Sequence, residues 1–238
     1  MSSRREQKEN LRRERERREA EAKAAAQRKR LFGVVGAVAI AVVAVVIVVV
    51  VAGGDSEGGG EQNSGDNFPS GGSVPKQTEF DLDKAVAAAD CELDSNRAPS
   101  RDHIPDPNTK VKYAQNPPNS GKHYEVPAQD GLYNGAPPPD TALVHELEHG
   151  RVIVWVKPTL ARDARRQLRA LFEEDEYQMV FVRRPNMPYA VAATAWGADP
   201  TPLGTGYSLG CKRWSPEAVD ALRAFRDEHR SNGPEDVP

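Results

Sequence analysis

Apolar positions along the chain fall into three regimes. Leu31 to Ala52 is apolar without interruption, and about 22 residues at 1.5 Å rise make a helix of roughly 33 Å, enough to cross a hydrocarbon core. Valine dominates the run and is a weak helix former in water, but in lipid the backbone must satisfy its own polar groups, which enforces the helix. The run is also longer than the apolar core of a cleaved signal peptide. Residues 53–78 are Gly, Ser, Asp, Asn and Gln with almost nothing to bury. They read as a flexible linker reaching on the order of 27 Å for about 25 residues. Residues 79–238 restore periodic patterns over a length that suits one globular domain.

Within that domain, Phe80 to Ala89 reads as a short helix. A long irregular region rich in Pro, Asn, Asp, His and Gly then runs to Pro139. Such a stretch is ordered only if a disulfide, a metal or packing of Tyr113, Tyr124, Leu132 and Tyr133 pins it. Pro137-Pro138-Pro139 is a spacer, and Asp140 as N-cap opens one or two helical turns through His149, which Gly150 stops. Val152 to Val156 reads as a buried strand. Leu160, Ala164, Leu168 and Leu171 mark an amphipathic helix. Gln178 to Val182 and Tyr189 to Trp196 are further strands, and Ser215-Pro216-Glu217 starts a last helix whose inner face carries Val219, Leu222 and Phe225 before Asn232-Gly233 ends it. The order β-α-β-β-α predicts an α+β fold, a small mixed sheet with packed helices. Trp155, Trp196 and Trp214 read as core or core-edge residues, and His229 as a helix-terminal residue where positive charge is welcome.

Charge orients this arrangement. Residues 1–30 hold 12 Lys or Arg against 6 Glu, which leaves 20 basic and 29 acidic residues of the totals 32 and 35 for the rest of the chain. By the positive-inside rule the basic tail is cytosolic, the span 31–52 lies in the plasma membrane, and the domain is extracytoplasmic. The tail is attracted to anionic lipid, and the bilayer is the first partner this implies. An acidic outer domain argues against nucleic acid as its ligand and is compatible with cations.

Cys91 and Cys211 are the two cysteines, and on the oxidising side of the membrane a disulfide between them is the favoured reading over free thiols or thiolate ligands. Closing a loop of about 120 residues contributes on the order of 4 to 5 kcal/mol in the chain-entropy treatment.

The chemistry concentrates in histidine. Four of the five, His103, His123, His145 and His149, precede residue 150, and the last two lie four apart, so on a helical turn they point the same way and can share an ion. A site of His123, His145 and His149 with His103 as fourth ligand is rich in nitrogen. Such sites favour zinc, copper or nickel over magnesium or calcium. Tyr113 and Met187 are auxiliary ligand candidates, and Glu148 is an acceptor that fixes one imidazole or, beside an open metal position, a base. The competing reading makes the histidines hydrogen-bonded packing residues of a loop-rich face.

His103, Tyr113, Pro117-Pro118-Asn119-Ser120-Gly121-Lys122-His123, Gly131-Leu132-Tyr133, Val144 through Gly150, Ala195-Trp196-Gly197, Cys211 and Gly233-Pro234-Glu235 together resemble an uncharacterised family of bacterial membrane-anchored proteins, the domain of unknown function thirty-one-oh-five. The resemblance runs from about Cys91 to Glu235. It implies an extracytoplasmic domain with no assigned activity. His145-Glu146-Leu147-Glu148-His149 also satisfies the zincin protease motif, in which the glutamate is the base. A zincin needs a long helix and a third ligand downstream, whereas here Gly150 and a strand cut the helix short, and the resembled family does not require glutamate at position 146. No catalytic residue is therefore assigned. The expectations are a single-pass, membrane-anchored protein binding copper or zinc, a non-enzymatic envelope module that contacts another membrane protein, or, as a minor third, a metal-dependent hydrolase.

Overall fold

A computed structural model describes residues 66–235 and 237. The chain divides into a unit Met1–Gln62 and a unit Asn63–Pro238, and all described residues belong to the second. The basic tail 1–30 and the span 31–52 lie outside the described residues. Among the described residues no helix is long and apolar enough to cross a membrane.

A six-stranded mixed sheet organises the fold, in the order β1-β8-β7-β5-β6-β4. Its strands are β1 (Cys91–Arg97), β4 (Gly131–Leu132), β5 (Val152–Val156), β6 (Met179–Arg183), β7 (Val191–Gly197) and β8 (Thr205–Cys211). Neighbours from β1 to β5 pair antiparallel, while β5, β6 and β4 run parallel. A separate parallel pair, β2 (His103–Ile104) and β3 (His123–Tyr124), lies apart from the sheet. Four helices complete the domain: α1 (Leu82–Ala88), α2 (Asp140–Glu148), α3 (Arg162–Glu174) and α4 (Ala218–His229). The architecture is α+β.

The period of two along each central strand divides the core. Val152, Val154 and Val156 of β5, Met179 and Phe181 of β6, and Val191, Ala193 and Ala195 of β7 face one side, where α1, α3 and α4 pack. Ile153, Trp155, Val180, Val182, Ala192 and Trp196 face the other, against Leu143, Val144 and Leu147 of α2. Because both faces are covered, β5 is buried at all five positions, which is why it reads as a continuous apolar run. Trp155 donates its indole N–H to Thr194 Oγ1 at 2.8 Å. Trp196 donates to the Leu203 carbonyl at 2.9 Å. Trp214 is partly buried at the edge of the first cluster.

Several elements differ from the sequence expectation. Residues 66–78 pack on the domain although they were expected within the linker: Phe68 is fully buried with its ring 6.3 Å from that of Phe181, and Thr78 donates from N and Oγ1 to Asp220 Oδ2 at 2.9 Å. One buried aromatic is enough to dock a polar segment that composition alone reads as free chain. Asp140 is the first residue of α2 rather than its cap, with Pro139 at the cap position, and its carboxylate accepts from Arg184 Nη1 at 2.7 Å. His229, expected to welcome charge, lies against Tyr207 and Phe225 with ring centroids 4.3 and 4.5 Å away, and burial lowers its pKa to about 4, so it is neutral at pH 7.

Cys91 and Cys211 stand directly opposite in the β1–β8 register and form a disulfide. The bond joins the sheet's edge strand to its neighbour. The irregular region is held from the other side. Pro117 to Gly121 is buried, and Asn119 Nδ2 donates to Asn96 Oδ1 at 2.7 Å and to Ser208 Oγ at 3.0 Å. Gly206 makes this seat possible, since a Cβ there would lie 2.4 Å from Asn119 Oδ1 and 2.7 Å from Ser120 Oγ. The loop thus rests on the sheet face that carries α2.

Candidate metal centre

Three segments converge at the C-terminal end of α2. The β2–β3 register sets His103 opposite His123, and their backbones are tied by His123 N donating to the Asp102 carbonyl at 3.0 Å and Glu125 N donating to the Ile104 carbonyl at 3.1 Å. The imidazole centroids are 4.6 Å apart. Helix α2 brings His145, Glu148 and His149 to the same place because residues three and four apart share a helical face. His145 lies 4.7 Å from His123, 4.9 Å from His103 and 4.5 Å from His149, centroid to centroid. The third segment is the C-terminal residues 231–235. Ser231 N donates to the Gly150 carbonyl at 2.8 Å and Glu235 N to the Glu148 carbonyl at 3.0 Å, which satisfies carbonyls at the end of α2 that the helix leaves unpaired.

Two overlapping groups result. His103, His123, His145 and Glu148 each offer a ligand atom within 4.8 Å of the others, and so do His145, His149 and Glu235. Arg101 joins them. Its Nε donates to Glu148 Oε1 at 2.5 Å and its Nη2 to Glu235 Oε1 at 3.2 Å, leaving each carboxylate's second oxygen turned to the histidines. Glu148 Oε2 lies 3.0 Å from His123 Nε2 and 3.7 Å from His103 Nε2, and Glu235 Oε2 lies 3.4 Å from His149 Nε2.

Hydrogen bonds to backbone fix the protonation of two rings. His123 Nδ1 is 2.7 Å from the Gly121 carbonyl and His145 Nδ1 is 2.6 Å from the Tyr124 carbonyl. A carbonyl only accepts, so each Nδ1 carries a proton and Nε2 is the nitrogen that each ring offers to the cluster. Burial, with His123, His149 and His103 adding to it, lowers the pKa of His145 to about 4 against the opposing pull of the Tyr124 carbonyl, so His145 is neutral at pH 7. Burial likewise lowers that of His149, helped by Arg151. Glu148 behaves oppositely. Burial resists its ionisation, but His123 and Arg101 outweigh it and hold the pKa down to about 2.

One buried pair of ligand atoms in the cluster lacks a hydrogen bond. His123 Nε2 and Glu148 Oε2 are both fully buried and 3.0 Å apart, yet they are out of hydrogen-bond alignment and neither has another hydrogen-bond partner. A buried imidazole nitrogen and a carboxylate oxygen this close, without an aligned hydrogen bond, are atoms that a shared cation would satisfy. Imidazole nitrogens and a carboxylate oxygen are also the donor set that first-row divalent ions prefer, and ligating histidines commonly donate their other N–H to a backbone carbonyl, as both rings do here. The residues present could hold a metal ion.

Of the residues singled out from sequence, the structure brings His103, His123 and His145 together with Glu148. His149, at the C-cap of α2, joins His145 and Glu235 instead. Tyr113 donates its hydroxyl to the Lys122 carbonyl at 2.8 Å, and Met187 is buried in the core cluster beside α2. Glu146, the base of the zincin motif, belongs to neither group and lies with its Oε2 3.3 Å from Arg151 Nε. Burial and neighbouring Asp130 raise its pKa to about 8 despite Arg151. Arg101 and Glu235 were not singled out as site residues. Nothing in local sequence marks Arg101, and for Glu235 the one signal was its place at the end of the resembled segment.

The class is therefore a small α+β domain that carries, on one face of its sheet, a histidine and carboxylate cluster that could hold a metal ion. The chain belongs to the family described as protein of unknown function (DUF3105), which it matches over residues 104–237. That stretch begins one residue after His103 and includes every other member of both groups. No curated protein and no solved structure matches the chain.

Proposed function

We propose that this domain binds one transition-metal ion, copper or zinc, through Nε2 of His103, His123 and His145 and Oε2 of Glu148. The observation that carries the reading is the buried pair His123 Nε2 and Glu148 Oε2, 3.0 Å apart and without a hydrogen-bond partner. Three neutral donors and one carboxylate leave a divalent ion with residual positive charge, which suits tight but reversible holding. His103, whose side chain is 43% exposed, leaves the ion reachable from solvent. We further propose that the chain is a single-pass plasma-membrane protein with residues 1–30 in the cytoplasm and the domain outside, where it carries or senses the ion.

Elemental analysis of the purified full chain after exposure to Cu(II) or Zn(II) and removal of free metal tests this. About one ion per chain is expected, falling to near zero in His123→Ala/Glu148→Gln. Equal, negligible metal in both proteins overturns the reading.

A further inference from the structure

The two groups share His145, and His145 has one nitrogen to give. Its Nδ1 is committed to the Tyr124 carbonyl at 2.6 Å, so only Nε2 can coordinate, and a single lone pair serves one ion at a time. Charge points the same way. Two divalent ions this close would face only two carboxylates, Glu148 and Glu235, both already shared with the Arg101 guanidinium.

The groups differ in their access to water. In the first, the carboxylate and one ring are sealed, with both Glu148 and His123 side chains 0% exposed; in the second, Glu235 is 38% exposed and His149 11%. A hydrated cation approaching from solvent is drawn to exposed negative charge, and Glu235 is the carboxylate of the cluster that offers it. His103, the exposed member of the first group, carries no negative charge and offers no comparable attraction.

We infer that the cluster is a one-ion centre with two positions, in which His149 and Glu235 receive the ion together with His145, and His145 then passes it to His123, His103 and Glu148. The inference rests on the metal-binding reading above. It makes His149 and Glu235 determinants of exchange rate, and His123 and Glu148 determinants of affinity. No bond other than coordination changes, and the ion keeps its oxidation state.

Cu(II) added to the purified full chain in stopped flow provides the test, read by quenching of tryptophan fluorescence, since the Trp196 ring lies 5.8 Å from that of His123. The wild type is expected to take up one equivalent. Glu235→Gln and His149→Ala are expected to slow both association and chelator-driven release about tenfold or more while shifting Kd less than about threefold. His123→Ala is expected to lose affinity outright. Two equivalents in the wild type with the second lost in Glu235→Gln, or unchanged rates in both variants, overturn the two-position centre and leave metal binding itself intact. No uptake by the wild type overturns both.

Discussion

Replacing Glu148 by Gln keeps the side chain's shape and removes its charge, so it isolates what the ionised carboxylate does for the metal-free fold. Folding lowers the group's pKa from 4.5 to about 2, and at 1.36 kcal/mol per unit that corresponds to about 3 kcal/mol of stabilisation at neutral pH. The side chain is fully buried, so solvent screening removes little of this. The sign follows from proton uptake. Between the two pKa values the unfolded chain binds the proton and the folded chain does not, so the stabilisation is complete above about pH 5 and is lost as pH falls toward 2. Urea unfolding of wild type and Glu148→Gln in chelator-treated buffer reads the effect directly. The variant is expected to be less stable by about 3 kcal/mol at pH 7, with the gap narrowing to about 1 kcal/mol at pH 3. Taking the difference between the two proteins cancels the other acids that titrate in this range. A gap independent of pH, or none at pH 7, would refute the assignment of a paired, ionised Glu148.

The disulfide and the C-terminal clasp give two further predictions. Cys91→Ser/Cys211→Ser opens a loop closed over a sequence separation of 120, so the unfolding free energy is expected to fall by about 4 to 5 kcal/mol, measured in urea without reductant; a loss under about 1 kcal/mol would mean that β1 holds its register on β8 without the bond. Gly233→Ala places a Cβ 2.2 Å from Gly150 N and 2.3 Å from the Glu148 carbonyl, forcing the segment that carries Glu235 off the end of α2. Copper exchange is expected to slow as in Glu235→Gln, with a stability loss of about 1 to 2 kcal/mol from the freed α2 carbonyls; wild-type exchange would show that Glu235 reaches the cluster without this contact.

What the sequence revealed depends on how local each signal is. β5, β6, β7, α3 and α4 are readable because each buries a repeating set of its own residues. β1 and β8 are not. Cys91–Arg97 reads CELDSNR and is exposed or half-buried at every position, since it is an edge strand held by pairing with β8 and by the disulfide rather than by burial. In β8, Gly206, Ser208 and Gly210 break any apolar alternation because that face receives Asn119, Ser120 and Tyr189 in place of a helix. The histidine cluster was legible from its density, yet its division was not. Glu148 and His149 are three and four residues from His145, and both spacings reach the same helical face. Only the helix end, where His149 turns toward Glu235 while Glu148 stays inside, separates them.

The placement of the cluster explains why a site of such polar cost persists in a small domain. Its ligands come from separately anchored segments: β2 and β3 tied to each other and to a loop seated in the notch at Gly206, α2 packed through Leu143, Val144 and Leu147 on the sheet, and the C-terminal residues bonded to the carbonyls of Glu148 and Gly150. No single segment supplies all the donors of either group, so coordination requires the folded domain, and the folded domain holds the donors close together before the ion arrives. Ordering costs that would otherwise weaken binding are met during folding by the apolar core and the disulfide. His123 Nε2 and Glu148 Oε2, buried 3.0 Å apart without an aligned hydrogen bond, are the atoms that a bound cation would satisfy. Binding is therefore expected to stabilise the domain, and because the scaffold holds these atoms in place, it ties the rigidity of the sheet to the affinity of the site.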